Sequence, residues 1–403
     1  MGRVCGIVTE YNPFHNGHGH HLAQSRLKTG AEDVIAVMSG DFVQRGEPGL
    51  IDKYRRTEMA LKCGVDIVLE LPVPWATASA EGFASGACRV LAAANIVDAI
   101  CFGSEIGEIG PLMDIARHLC HETDDFKQIL KNRLAAGLSF PAARAVATAS
   151  TLGGDAAEII NHPNNILGIE YLKAIIRHDL RLSAHTSTRY GTAHNSDDFV
   201  GNSASAGAIR RHIHNGGELS QLAPLMPKES YSVLVDEYRK SAINKLNNFS
   251  PFFHHALHIT PKERLTELSG LSAAMQNRLT TAARQHYLIS DVLDAAKSKN
   301  LTRTALQRAA IRITLGIRAD CIAQPVPYIR VLGFRREKEA LLRRLHVAAT
   351  VPVVTNLKHI NNLPENARAM LGQEMAATRA FWLGLKSHGV PEKNELEAQM
   401  VMI

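Results

Sequence analysis

Short apolar runs recur through the first hundred residues at intervals of about thirty: VCGIVT from Val4, VIAVM from Val34, VDIVLEL from Val65 and IVDAICF from Ile96. Runs this short, apolar on both faces, predict strands buried in a parallel sheet rather than helices. Between them, residues 17–28, 53–63 and 78–93 carry apolar positions at helical spacing. The series reads βαβαβαβ, an α/β, Rossmann-like doubly wound parallel sheet. Beyond residue 105 the pattern turns helical, with a polar stretch over 121–130. PNNILGIEYLKAIIR, from Pro163 to Arg177, opens on a turn signal and continues apolar at i, i+3 and i+4, which predicts a helix. LRLSAHTSTR from Leu180 predicts a further strand, and SASAGAIRRHI from Ser203 a helix that begins on small capping residues.

After residue 225 only helical patterning with Pro and Gly punctuation remains. The exception is VPYIRVLGFRREKEALLRRL, which is extended after Pro327 and then becomes a basic helix. Residues 1–225 are therefore expected to form the α/β domain and residues 226–403 a second, mainly helical one. The length of 403 residues agrees, since one core usually stops growing at roughly 250 to 300 residues.

Hydrophobic residues at 45% and charged residues at 21% are ordinary for a globular chain and exclude a disordered or fibrous one. No run of about 18 apolar residues offers a membrane span, and MGRVCGIVTEYNPF lacks the features of a secretory signal, so a soluble, cytoplasmic protein is expected. Cys5, Cys63, Cys88, Cys101, Cys120 and Cys321 form no CxxC pair and are read as reduced, buried thiols. The net charge of +6 is unevenly placed: residues 297–345 hold twelve Lys or Arg against three Asp or Glu. A local basic balance of this kind is the footprint of a polyanion partner, although a solvated helix face gives the same count.

The sharpest chemical signal follows the first strand, where TEYNPFHNGHGHHL contains His15, Asn16, Gly17 and His18 as HxGH. In an open α/β sheet ligands bind beyond the carboxyl ends of the strands, and a helix starting there favours an anion. Two imidazoles and a glycine at that point suit a nucleotide phosphate. A run of four histidines in seven residues also suits zinc, but no cysteine or carboxylate stands at a matching spacing, so no metal ligands are assigned. MSGDFVQRGEP, after the second strand, offers Asp41, Gln44 and Arg45 to orient Mg²⁺ or phosphate. FGSE places Gly103 past a third strand, where adenine or ribose could approach the backbone. Asn164 in the PNN turn, with Arg189 and Arg210, completes the candidates, the arginines being suited to neutralise a leaving pyrophosphate.

HNGH together with SASAGAIR resembles the HxGH nucleotidyltransferase superfamily, whose second motif is an ISSTxIR-like helix start. More closely, EYNPFHNGH, MSGDFVQRGEP, LELP, FGSE, PNNILGIEY and PYIRVLGF, in that order from residue 10 to 334, resemble the tRNA(Met) cytidine acetate ligase family. The resemblance implies that ATP activates acetate to acetyl-adenylate and pyrophosphate. The acetyl group then passes to the exocyclic amine of the wobble cytidine of elongator tRNA(Met). It further implies ATP contacts at Val8, Thr9, Glu10, Tyr11, Asn12, Pro13, Phe14, His15, Asn16, Gly17, His18, Gly19, His20, His21, Gly103, Asn164 and Arg189. His15, His18, Asp41 and Arg210 are expected to act in catalysis with Mg²⁺. Lys299, Arg303, Arg308, Arg312, Arg330, Arg335 and Arg336 are expected to hold tRNA phosphates. The same HxGH chemistry would also serve a small-molecule adenylyl- or cytidylyltransferase acting on a phosphorylated metabolite; the nucleophile separates the two readings.

Overall fold

Among the described residues ten strands are laid down in chain order: β1 Val4–Thr9, β2 Asp33–Ser39, β3 Phe42–Val43, β4 Glu47–Pro48, β5 Ile67–Leu71, β6 Ala99–Ser104, β7 Ser183–Thr188, β8 Ile329–Phe334, β9 Val353–Val354 and β10 Val401–Met402. They are seen in a computed structural model that describes residues 2–189, 199–268 and 270–403. β3 and β4 make a small hairpin, and the others form one sheet in the order β10-β8-β5-β2-β1-β6-β7, with β9 beside β8. Within it β1, β2, β5, β6 and β7 run parallel. The chain steps outward from β1 through β2 to β5, then returns to the other side of β1 as β6. The switch point between β1 and β6 is where such a sheet opens a crevice at its carboxyl edge.

The strands are buried on both faces, as their uninterrupted apolar runs require. Val4, Ile35, Val37, Ile67 and Leu69 face the helices Ala80–Ala93 and Pro163–Arg177. Cys5, Ile7, Val34, Ala36 and Met38 face the opposite layer, which includes α1 (Asn16–Thr29), α2 (Lys53–Lys62) and the helix Ala206–His214. The helices between residues 249 and 317 pack a core of their own around Phe253, Leu279, Leu293 and Leu306, shared with Phe381 and Trp382.

The expectation that residues 226–403 form a separate helical domain needs revising at its C-terminal end. β8 pairs antiparallel to β5, with Ile67 opposite Phe334, and β10 runs parallel beside β8. The outer edge of β5 needs hydrogen-bond partners, and the fully buried IRVLGF strand supplies them.

A buried ion network secures this edge. Lys53 Nζ lies 2.8 Å from Glu70 and 2.7 Å from Glu395, and donates to Thr378 Oγ1 at 3.1 Å. Arg330 lies 2.8 Å from Glu395 and donates to Tyr54 Oη at 2.7 Å. Asp41 accepts from Lys53 N at 2.9 Å and from Thr378 Oγ1 at 2.8 Å. Burial pushes the Asp41 carboxyl up to about 6 despite Lys53 nearby. Three sequence expectations fail here for one reason. Asp41 and Arg330 are enclosed among these partners, so neither can orient a phosphate or Mg²⁺, nor touch RNA. Arg312 is equally buried, donating from Nε to Thr77 O at 2.9 Å and from Nη2 to Pro74 O, which fastens the helix Arg303–Leu315 to the short helix Val73–Ala76 that follows β5.

All six cysteines are free; Cys5, Cys88 and Cys101 are buried and the other three partly so. Among the described residues no helix is long and apolar enough to cross a membrane.

Candidate active site

β1 ends at Thr9, and the chain turns through Tyr11 (φ 44°) and a cis Asn12–Pro13 bond into α1. His15 is the residue that caps this helix. Its Nδ1 accepts from Gly17 N at 3.1 Å, and His18 Nδ1 in turn accepts from His15 N at 3.2 Å. The two rings lie close together, centroids 3.8 Å apart and planes tilted by 34°. This arrangement uses imidazoles where a helix start commonly uses Ser and Glu. It also fixes the chemistry: a ring whose Nδ1 accepts, and which is neutral, carries its proton on Nε2. Both rings are held neutral. Burial, then the Arg189 and Arg210 charges, push His15 down to about 3, and burial, then the adjacent His15 and Arg189, push His18 well below the usual imidazole range. Each ring thus presents one Nε2–H donor. The first-turn amides expected to meet an anion are partly used already, Gly17 N by His15 Nδ1 and His18 N by His15 O.

The two rings form one wall of a cavity of about 500 Å³ at the β1/β6 switch point. Its floor is Val8, Thr9 and Glu10 from the end of β1 and Phe102 and Gly103 from β6. Gly103 keeps this floor low, since a Cβ there would stand 3.4 Å from the Arg189 side chain and 4.0 Å from His21. His21 also faces the cavity; its Nε2 is buried without a partner among the described residues, and burial foremost, with Arg189 next, pushes it down to about 4.

Two motifs far apart in sequence interlock at one side. Glu105 accepts from Asn164 N and Nδ2 and from Asn165 N, so the FGSE carboxylate caps the helix Pro163–Arg177. Burial would raise that carboxyl, but these hydrogen bonds outweigh it and hold it below the usual range. Asn164 Oδ1 then accepts from Arg189 Nη1 at 2.7 Å, which fixes the guanidinium over the cavity. On the opposite side Arg210 donates to Asn12 O at 2.8 Å and to Glu47 at 2.6 Å. Arg45 and Arg211 complete a strongly cationic wall. Lines of positive charge around neutral donors are what a triphosphate requires.

Most sequence-derived candidates meet here: Val8, Thr9, Glu10, Tyr11, Asn12, His15, Gly17, His18, His20, His21, Gln44, Arg45, Gly103, Asn164, Arg189 and Arg210 all line the cavity. Others lie behind the wall. Phe14 is in the core, Gly19 packs towards its ring, and Asn16 donates to Asn202 O and Pro224 O at 2.9 Å each. Sequence reasoning missed the apolar wall of Phe83, Leu167 and Tyr171, and Ser187 and Thr188. It also missed Arg56, wholly buried, whose guanidinium ties the carbonyls of Glu10, Ser39, Gly40 and Ile51 together beneath the site. No local pattern distinguishes it from its neighbour Arg55.

The helical region packs against the rim of the site. A Cβ on Gly46, which has φ 75°, would fall 2.5 Å from Arg308 Cα, so the helix Arg303–Leu315 backs directly onto the loop between β3 and β4. Arg308 is half-buried and makes no hydrogen bond or ion pair among the described residues. Lys299 and Arg336 are exposed; Arg303 pairs with Asp294, and Arg335 with Glu337 and Asp66.

Residues 2–395 match the model of the HIGH Nucleotidyl Transferase family. A tRNA(Met) cytidine acetate ligase of Acetivibrio thermocellus is 35% identical over 416 aligned residues, covering 100% of both chains. One from Caldicellulosiruptor saccharolyticus is 38% identical, covering 96% of this chain and 95% of its own. A crystal structure of Thermotoga maritima TmcAL bound with alpha-thio ATP superposes with a TM-score of 0.92 at 30% identity, covering 100% of this chain and 99% of that one. The apo form of the same protein gives 0.94.

Proposed function

We infer that the chain, which belongs to the tRNA(Met) cytidine acetate ligase family of HIGH nucleotidyl transferases, is an ATP-dependent ligase that acetylates a tRNA cytidine. The observation that carries the reading is the reciprocal histidine cap, which aims two neutral Nε2–H donors into a cationic cavity at the sheet's switch point.

ATP lies with its triphosphate against His15, His18, Arg189 and Arg210, and its adenine towards Gly103, Phe102 and Leu167. An acetate oxygen attacks the α-phosphorus in line, pyrophosphate leaves towards the arginines, and acetyl-adenylate stays in the cavity. Neutral imidazoles suit this step because they hydrogen-bond charge as it develops without clamping the ground state. The exocyclic amine of the wobble cytidine of elongator tRNA(Met) then takes the acetyl group. No group of three or more His, Cys, Asp or Glu among the described residues could hold a metal ion, so Mg²⁺ would be held by the triphosphate and would neutralise part of its charge. Lys299, Arg303, Arg308, Arg335 and Arg336 remain as phosphate contacts for the RNA, and Arg308 is best placed, being half-buried, without an ion pair among the described residues, and against the rim loop. A cytoplasmic setting supplies all three substrates.

Incubation with labelled acetate, ATP and bulk tRNA, followed by nucleoside analysis, tests the reading. The label is expected in acetylcytidine; label in no nucleoside, or ATP turnover driven instead by a phosphorylated metabolite, overturns it.

A further inference from the structure

Among the described residues that line the cavity, Glu10 is the only acidic one, set against Arg45, Arg189, Arg210 and Arg211. Its Oε1 accepts from Gln44 N at 2.8 Å, while Oε2 has no protein hydrogen bond among the described residues and is not sealed off from the cavity. The backbone beneath it is fixed, since Glu10 O accepts from Arg56 Nη1 at 2.7 Å. This carboxylate is therefore held in place with one oxygen free.

Acetate and the triphosphate of ATP do not explain it, since both carry negative charge and an ionised carboxylate has no proton to donate to either. The charges facing Glu10 are Arg210, Glu47, Arg45 and Arg56, and it also lies near Tyr171 of the apolar wall. The remaining reactant presents N–H groups. A carboxylate accepting from the cytosine N4 amine is a standard pairing of side chain and base, and uracil, with an acceptor at that position, cannot make it.

Resting on the ligase reading above, we propose that Glu10 receives the exocyclic amine of the target cytidine, orients it, and takes its proton during acetyl transfer. The amine nitrogen attacks the carbonyl carbon of acetyl-adenylate and the C–N bond forms. The bond from that carbon to the phosphate oxygen breaks, and AMP leaves with its electron pair. One amine proton passes to Glu10 Oε2. Burial, the foremost influence on Glu10, raises its carboxyl above the usual range, which favours the proton's acceptance.

The test compares the two half-reactions in Glu10→Gln and Glu10→Asp. Acetate-dependent ATP–pyrophosphate exchange reads adenylate formation, single-turnover transfer to tRNA reads the second step, and hydroxylamine traps acetyl-adenylate with a nucleophile that needs no base. In Glu10→Gln, transfer to tRNA is expected to fall at least about 100-fold further than exchange, with hydroxamate formation following exchange. Glu10→Asp, which keeps the charge, should recover part of the transfer. Equal losses in exchange and transfer, or losses restored by raised Mg²⁺, would overturn the proposal in favour of an ATP or metal role. Transfer that falls no further than exchange would overturn it too. If the unaltered protein shows no acetate-dependent exchange, the ligase reading itself fails, a result separable from any property of Glu10.

Discussion

The carboxyl edge of the sheet and the edge beside β5 both bury ionisable side chains, but they do so to opposite ends. Around Lys53 every strong charge has an opposite number within a few ångströms, and the group is closed to ligands. Around His15 and His18 positive charge predominates, and the imidazoles are neutral, each keeping one Nε2–H donor. Desolvation with partners cements a fold; desolvation without them creates affinity for whatever supplies the missing charge.

Breaking the closed network should have the largest effect. Lys53→Ala strands Glu70 and Glu395 in the interior and is expected to cost about 3 to 5 kcal/mol of stability, read as a lowered urea midpoint. A midpoint shift below about 1 kcal/mol would mean that water reaches the cluster. Next comes the open site. His18→Ala removes one donor and should slow acetate-dependent pyrophosphate exchange by roughly 100-fold or more, equivalent to about 2.7 to 4 kcal/mol, with stability less affected than in Lys53→Ala.

A smaller effect follows from the neutral histidines. Their folded-state values lie below the unfolded one, so at acid pH the unfolded chain binds protons that the native site refuses. The stability they confer is complete above about 6.5 and is lost as pH falls towards 4, by about 1.4 kcal/mol per pH unit for each ring. His21→Leu should therefore show a shallower fall in urea midpoint between pH 7 and 5 than the parent. The smallest effect is expected at the RNA contacts. Arg308→Ala should reduce the salt slope of tRNA binding by about 1. Arg312→Met, altering a buried brace, should leave that slope unchanged while lowering stability.

The same contrast separates what was legible in the sequence from what was not. Strands and helices of the first half were readable because short apolar runs and helical spacing are local signals; Pro163–Arg177 begins and ends where its pattern does. The cavity was readable because its residues follow strand ends in order. The pairing of β8 with β5 was not, since an apolar hexapeptide carries no mark of the strand it will join, Ile67 and its partner Phe334 standing 267 positions apart. Nor could Asp41, Arg330 and Arg312 be told from site residues. A charge in a sequence looks free until the fold brings its counter-charge, and for Lys53 that partner, Glu395, stands 342 positions on.

The late arrival of β8 bears on how this protein is made. During synthesis β5, the apolar IVLEL, emerges early with its outer edge bare, and the strand that covers it follows only after the long helical excursion. For that interval the nascent chain carries an adhesive strand edge of the kind that recruits other chains. Slow translation through residues 226–328 would lengthen the exposure, and helpers that shield strand edges would matter most in that window.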